Sequence, residues 1–136
     1  MLVVRRVRKK EIPQLVQYKL VVMAPYMKNE DLEVTKNVNN YFEENYKWGR
    51  FIYYNFKLIG AFFIKDSVLE LIYVERKYRY LGIGTKILKR NNKYIDAIKF
   101  CKGNEKAVRF FKKNDYEIWK KDNLYVYMKR VDLDDN

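Results

Sequence analysis

Two glycines, Gly82 and Gly84, stand one residue apart in the stretch "RYLGIG", between an apolar run and the helix-like run "TKILKRNNKY". Glycine is unfavourable inside strands and helices, so the pair indicates a special backbone conformation where a strand passes into a helix. Residues without a Cβ let a bulky anion approach main-chain N–H groups, and the unpaired N–H groups of a helix start point at such an anion. The alternative is that one glycine only permits a left-handed turn.

The spacing excludes two common phosphate-binding motifs. Ile87 stands where the dinucleotide fingerprint G-x-G-x-x-G requires its third glycine. No Gly-Lys-Ser/Thr follows, so the P-loop pattern is absent as well. A diphosphate site formed by the bare amides of a helix start remains.

Composition predicts one folded domain over residues 1–136. The chain is 49% hydrophobic and 17% aromatic, too much for a disordered segment, and its length suits a single core. The lone cysteine, Cys101, cannot form an intramolecular disulfide. The start lacks the apolar segment of a signal peptide, and no apolar run reaches the roughly 20 residues of a membrane helix. We therefore expect a cytoplasmic protein without a membrane partner.

The chain contains no histidine. This removes the commonest general base and the usual zinc ligand, so no metal site is predicted and base catalysis must use a carboxylate, a tyrosine, a lysine or water. The net charge is +12, and residues 76–113 contain 13 Lys or Arg against two acidic residues. This basic segment predicts an anionic ligand or partner.

Hydrophobic periodicity predicts the order β-α-α-β-β-β-α-β-α-β-β. Strands are predicted at residues 2–8, 48–55, 57–65, 68–74, 97–101, 116–122 and 123–131, and helices near 12–20, 33–44, 82–94 and 104–114, with 132–136 frayed. The order predicts an α+β fold with a central, mostly antiparallel mixed sheet, one parallel β-α-β unit and helices on the sheet faces.

Two segments resemble the acetyl-coenzyme A motifs of the GNAT acyltransferase superfamily. Residues 72–88, "IYVERKYRYLGIGTKIL", contain the loop Arg/Gln-x-x-Gly-x-Gly/Ala, with Arg79 in its first position. Residues 104–116, "NEKAVRFFKKNDY", resemble the later Asn-x-x-Ala…Phe-Tyr element. The resemblance implies a three-layer fold and direct transfer of acetyl from acetyl-CoA to a primary amine. That amine would be a protein N-terminus, a lysine, or an amine on a small molecule or RNA.

The resemblance also implies the coenzyme contacts. The main chain of Ile72, Tyr73 and Val74 would pair with the pantetheine arm. The N–H groups of the loop would hold the diphosphate, namely those of Arg79, Tyr80, Leu81, Gly82, Ile83, Gly84 and Thr85. Asn104 and Phe111 would lie beside the pantetheine or the acetyl group. For Asn104 an ordinary helix N-cap is an equal alternative.

Glu70 is the candidate general base. A lysine-like amine costs about 4.6 kcal/mol to deprotonate at neutral pH, so a base is needed. Strand alternation predicts that Glu70 shares a face with Ile72 and Val74, although a rim charge is the alternative. In some relatives the carboxylate lies five residues before the Asn, where this chain has Lys99.

The sequence offers no obvious acid to protonate the coenzyme A thiolate that leaves after acetyl transfer. Phe111 stands where the family commonly has a tyrosine that protonates the leaving thiolate, and Tyr116 is the nearest phenol. Since a thiolate lies only about 2 kcal/mol above its thiol at pH 7, this loss is tolerable. The same departure leaves open a degenerate relative that binds coenzyme A without catalysis.

The high positive charge favours an acceptor on an acidic or nucleic-acid-associated partner, although the anionic coenzyme explains part of that charge. A monomer or a homodimer fits the sequence. A third alternative is a basic nucleic-acid-binding domain without enzyme activity, which would use the Tyr-rich strands. Trp48 and Trp119 are interpreted as core or rim aromatics rather than a base-stacking surface.

Overall fold

The computed structural model describes residues 1–27 and 32–131, with the backbone alone of Leu32. The strands are β1 (Leu2–Arg6), β2 (Gly49–Tyr54), β3 (Lys57–Lys65), β4 (Val68–Val74), β5 (Ala97–Cys101), β6 (Tyr116–Lys121) and β7 (Tyr125–Arg130). The helices are α1 (Ile12–Met23), α2 (Leu32–Asn45), α3 (Ile83–Asn91) and α4 (Glu105–Lys113). A 3₁₀ segment, Arg76–Leu81, joins β4 to α3. This is the predicted order; the tail predicted to fray, 132–136, lies outside the described residues.

The seven strands form one sheet in the order β1-β2-β3-β4-β5-β7-β6. Every pair is antiparallel except β4 with β5. The parallel pair has only two register positions, Val68 with Ala97 and Leu69 with Ile98. Beyond them β4 and β5 separate. The predicted mixed, mostly antiparallel sheet with one parallel unit is confirmed.

Helices cover the sheet on both faces, which confirms the three layers. On one face α3 and α4 bury Ile83, Ile87, Leu88 and Phe111 against residues of β2 to β5, β7 and Tyr116 at the start of β6. On the other face α1 and α2 bury Leu15, Val16 and Phe42 against β2, β3 and β4. Each large side chain buried in this way contributes roughly 1.5–3 kcal/mol. The α1/α2 core contains no described residue of β5, β6 or β7, so those strands are covered by helices on one face only.

Two tight hairpins connect β2 to β3 and β3 to β4. Their central residues all have positive φ, namely Asn55 (48°), Phe56 (70°), Asp66 (52°) and Ser67 (63°). Two successive residues with positive φ are typical of the type I′ turn, whose twist suits a two-residue hairpin. The Ser67 carbonyl also accepts hydrogen bonds from the N–H groups of Asp96 and Ala97, at 2.7 and 3.2 Å. The second turn therefore holds the entry of β5 against the start of β4.

A β-bulge interrupts β4 at Glu70. Ile64 pairs with Leu69 and Phe63 pairs with Leu71, so Glu70 has no register partner on β3. A bulge shifts the alternation of side chains by one residue. As a result Leu69 packs in the α3/α4 core and Leu71 packs in the α1/α2 core, although they are two residues apart.

None of the helices in the described ranges is long and apolar enough to span a membrane.

Candidate active site

The loop before α3 exposes main-chain amides. Gly82 has φ 71° and ψ 19°, a left-handed conformation, and a Cβ added there would meet no atom within 4 Å. The first hydrogen bond of α3 runs from the Lys86 N–H to the Gly82 carbonyl, at 3.1 Å. The N–H groups of Ile83, Gly84 and Thr85 therefore lie at the helix start, where an anion can accept from them. At Gly82 no side chain stands between solvent and these N–H groups, so an anion can reach them.

Gly84 has a second role in packing. A Cβ at this position would lie 3.2 Å from Cζ of Phe110, so the missing side chain lets α3 approach α4 closely. Ile83, between the glycines, is 2% exposed and packs in the α3/α4 core. In contrast, the side chains of Tyr80 and Leu81 are 94% and 49% exposed. The loop is thus anchored by the buried side chain of Ile83, whereas the side chains that precede it are exposed to solvent.

Arg79 is directed towards β4 rather than towards the loop amides. Its Nε donates a 2.7 Å hydrogen bond to the Val74 carbonyl, and its guanidinium lies 5.3 Å from the ring centre of Tyr73. The side chain therefore fastens the 3₁₀ segment to the end of the strand.

The end of β4 has a free edge. Ile72, Tyr73 and Val74 pair with β3 on one side, and none of them has a register partner on β5 on the other. An extended ligand can hydrogen-bond to such an edge in the manner of an added strand. Val74 is buried in the α3/α4 core and Ile72 packs against it, so this edge adjoins the α3/α4 side of the sheet.

Asn104 caps α4. Its Oδ1 accepts a 3.0 Å hydrogen bond from the Ala107 N–H, which confirms the N-cap alternative. Its Nδ2 donates to no atom of the described residues and remains available. Phe111, about two turns further along α4, is 3% exposed and stacks on Phe100 with ring centres 5.7 Å apart.

The prediction that Glu70 shares a face with Ile72 and Val74 is wrong, because the bulge turns its side chain to the other face. Its Oε2 accepts a 2.6 Å hydrogen bond from the hydroxyl of Tyr41 on α2. Burial, together with this bond, raises the pKa of Tyr41 above its ordinary value, so the phenol stays protonated. Glu70 lies in a cleft of about 270 Å³ lined by Tyr41, Lys65, Asp66, Val68, Glu70, Lys99 and Tyr127.

Sequence reasoning missed Lys19 of α1. Its Nζ donates a 2.7 Å hydrogen bond to the main-chain carbonyl of Glu70. Burial of the ammonium group lowers its pKa, an effect that the nearby Glu70 partly offsets. The signal was present, because Lys19 follows Leu15 and Val16 by four and three residues and so occupies the apolar stripe of its helix. A lysine on a buried stripe needs a partner, and the bulge carbonyl is that partner.

Cys101 ends β5 on the same side of the sheet as Lys19. Burial raises the pKa of its thiol, and the charges of Lys19 and Lys99 only partly oppose this. The side chain is half-buried and remains a thiol at neutral pH. This protonation state disfavours a covalent role.

The structure does not support Tyr116 as the thiolate's acid. Tyr116 pairs with Arg130, which is two residues after Met128, the partner of Ile98. Tyr116 therefore lies at the end of the sheet where β5 begins. The free edge of β4 is at the opposite end. Tyr116 is 2% exposed, packs edge-on against Phe111, and its hydroxyl has no hydrogen-bond partner among the described residues. Burial raises its pKa.

Solved structures of the same architecture cover nearly the whole chain. The PaiA N-acetyltransferase from Thermoplasma acidophilum, in complex with coenzyme A, has a TM-score of 0.65 and 14% identity over 96% of this chain and 99% of that one. A GNAT-family acetyltransferase from Staphylococcus aureus has a TM-score of 0.64 and 17% identity over 93% and 98% of the two chains. The chain has the GNAT fold.

Another protein of the GNAT fold, Naa50 from Arabidopsis thaliana, was solved with the bisubstrate analogue CoA-Ac-MVNAL. It has a TM-score of 0.65 and 22% identity over 96% of this chain and 99% of that one. By sequence, no family model and no curated protein matches the chain. The fold expected from the two motifs is therefore confirmed by three-dimensional similarity.

Proposed function

We propose that this GNAT-fold chain is an acetyl-CoA-dependent N-acetyltransferase acting on a primary amine. The observation that carries the proposal is the open, left-handed Gly82 at the start of α3, next to the free edge of β4. These two features provide adjoining sites for a diphosphate and for an extended amide-containing arm. The coenzyme A complexes of other GNAT-fold proteins support the same assignment.

On the coenzyme side, each part of the ligand has a matching group. The loop N–H groups from Arg79 to Thr85 donate hydrogen bonds to the diphosphate, and the missing Cβ of Gly82 lets it approach. The main chain of Ile72 to Val74 pairs with the pantetheine amides, and Asn104 offers its Nδ2 beside them. When bound, the coenzyme supplies an acetyl thioester as the acyl donor.

On the acceptor side, Glu70 is the base. The cleft that contains it opens on the α1/α2 face, beside the β3–β4 turn and the last paired residues of β4 and β5. There its carboxylate takes a proton from the acceptor ammonium while Tyr41 holds the carboxylate in place. For a lysine-like amine this deprotonation costs about 4.6 kcal/mol at neutral pH, which is the part of the barrier that Glu70 reduces.

Lys19 contributes to the acceptor side by stabilising the β-bulge at Glu70. Its bond to the Glu70 carbonyl satisfies an acceptor that the irregular strand does not pair with β3. Phe111 offers no proton to the leaving thiolate, and solvent completes that step at a cost of about 2 kcal/mol.

The test combines binding and turnover on the intact chain. Acetyl-CoA is titrated calorimetrically, and thiol release is then followed with peptides bearing a free N-terminus, with a lysine peptide and with small amines. We expect binding and thiol release that depends on the amine. Absence of coenzyme binding overturns the proposal, and binding without turnover on any amine favours a coenzyme-binding protein without catalysis.

A further inference from the structure

Among the described residues, the α1/α2 core does not extend over β5, β7 and β6. Ile98, Phe100, Val126 and Met128 pack in the α3/α4 core, so the residues between them turn to the opposite face. On that side the α1/α2 core stops at β4. We call this set the open face; it consists of the exposed Trp119, Lys120 and Lys129 and the half-buried Lys99, Tyr125 and Tyr127.

The open face alternates aromatic rings with lysines. The Nζ of Lys99 lies 4.2 Å from the ring centre of Tyr125, and the Nζ of Lys120 lies 4.8 Å from that of Tyr127. Both Lys120 and Lys129 lie over Trp119, at 4.6 and 3.7 Å. Trp119 is 50% exposed, so its ring is accessible from solvent. Three aromatic side chains on two adjacent strands therefore lie on one face, each with a lysine ammonium group over its ring.

The three lysines of this face form no ion pairs with the described carboxylates. Within residues 1–27 and 32–131, no carboxylate lies within 4.0 Å of Lys99, Lys120 or Lys129. Asp122 at the β6–β7 turn accepts from the N–H groups of Leu124 and Tyr125, at 2.8 and 2.7 Å, and from the Tyr127 hydroxyl at 3.4 Å. The Asp122 carboxylate thus accepts hydrogen bonds from the turn and from Tyr127 and forms no ion pair with the three lysines.

Glu117 is the other acid on these strands. It stands opposite Lys129 in the register and forms no ion pair within 4.0 Å. The three lysines outnumber these two acids by one, and Glu70 lies in the adjoining cleft with Lys99. The exposed ammonium groups of Lys120 and Lys129 attract an anion, and the rings favour one that also presents flat apolar surfaces.

We propose that the open face binds single-stranded nucleic acid. Unpaired bases stack on aromatic side chains of a sheet, while lysines beside the rings neutralise the phosphates. An acidic peptide would use the lysines and leave the rings unoccupied, and a duplex keeps its bases stacked away from them. This role needs neither acetyl-CoA nor catalysis and is independent of the proposed enzyme function. Lys99 and Tyr127 also line the Glu70 cleft, so the two sites adjoin.

The two tryptophans permit a direct test. Trp48 lies before β2, outside the open face, so the Trp48→Phe protein has Trp119 as its single tryptophan. A single-stranded oligonucleotide of about 12 nucleotides is titrated into it while tryptophan fluorescence is followed. We expect quenching of Trp119 and an affinity that falls steeply as salt is raised.

Two variants in that background locate the site. Tyr127→Ala is expected to weaken binding by about tenfold or more, because one stacking ring is lost. Lys99→Glu should weaken binding and reduce its salt dependence. Lys10→Glu, the same charge change at an exposed residue near α1, is the matched control and should have the smaller effect. Circular dichroism verifies that each variant is folded.

Three results would each overturn the proposal: unchanged Trp119 fluorescence, equal losses in Lys10→Glu and Lys99→Glu, or equal binding of a duplex of the same length. A polyglutamate peptide that competes as strongly as the oligonucleotide would also overturn it, in favour of an acidic protein partner.

Discussion

The hydroxyl of Tyr41 lies 2.6 Å from Oε2 of Glu70 and donates a hydrogen bond to it. Tyr41 is on α2 and Glu70 is at the bulge of β4, so this bond joins a helix to the one irregular residue of its strand. The bond holds the carboxylate on the face that the α1 and α2 helices cover. Alternation alone would have placed it on the other face.

The first prediction concerns this pair. With a lysine-like acceptor, Glu70→Gln should lower kcat at neutral pH by about 100-fold or more, because the amine loses its base. The loss should shrink as pH rises, since more of the amine is then already neutral. Tyr41→Phe keeps the carboxylate and should cost less than about tenfold. Equal kcat for Glu70→Gln and the unmodified protein across the pH range would remove Glu70 as the base.

The second prediction concerns Gly82. Replacement by Leu should weaken acetyl-CoA binding by about tenfold or more, because a side chain would occupy the space through which the diphosphate approaches. Gly82→Ala is the matched control, since it has similar backbone strain at φ 71°, about 1 kcal/mol, with a much smaller side chain. Calorimetry gives the affinities and thermal unfolding gives the stability. Equal affinities for the Ala and Leu variants would contradict the placement of the diphosphate.

The third prediction separates Tyr116 from catalysis. Because its buried hydroxyl has no partner in the described chain, Tyr116→Phe should raise the free energy of unfolding by about 1 kcal/mol. The variant should keep kcat within about twofold, since no bond-making group is removed. Urea unfolding and thiol release measure the two effects. A large fall in kcat with an intact fold would restore Tyr116 as a catalytic acid.

The fourth prediction concerns the β2–β3 turn. Phe56 is 91% exposed and has φ 70°, a conformation that costs an ordinary residue about 1 kcal/mol or more. Phe56→Gly removes that strain but makes the unfolded chain more flexible, so a net gain of about 0.5 kcal/mol is expected. Asn tolerates this region better, so Asn55→Gly should gain less. If Phe56→Gly lowers the midpoint of urea unfolding, the strain argument is wrong.

The fifth prediction concerns pH and Lys19. Burial lowers the pKa of Lys19 in the folded protein below its ordinary value of 10.5. At pH values between the lowered pKa of the folded protein and 10.5, Lys19 binds a proton in the unfolded chain but not in the folded chain. The contribution of this residue to stability therefore rises with pH. The unfolding free energy of the unmodified protein, minus that of Lys19→Met, should therefore increase as pH approaches 10.5. Lys10→Met, at an exposed position, is the matched control; parallel behaviour of the two variants would exclude the burial effect.

Several strands could be predicted from the sequence to the residue. The bounds of β3, β4 and β5 agree with the prediction, because each apolar run is continuous and ends at turn residues or at glycine and polar residues. The 3₁₀ segment between β4 and α3 was not predicted, because short tight turns lack a distinct hydrophobic period. The loop proposed to bind the diphosphate could be located from the sequence, because it depends on local backbone chemistry at Gly82.

The side-chain directions at the site could not be read in the same way. The face of Glu70 depends on how β3 and β4 are registered, and a one-residue bulge reverses a prediction based on alternation. The distance of Tyr116 from the β4 edge depends on the register of β6 with β7 and of β7 with β5. Both are contacts between residues far apart in sequence. The sequence of a single strand does not indicate such contacts.

The separation of β4 from β5 has a kinetic consequence for acetyl transfer. In the proposed function, a donor bound along the α3 side and an amine entering from the α2 side approach the sheet from opposite faces. Both can then be present together, and initial-rate plots should show intersecting lines rather than the parallel lines of an acyl-enzyme route. The protonated state of Cys101, which leaves that thiol a poor acyl carrier, agrees with such a sequential scheme.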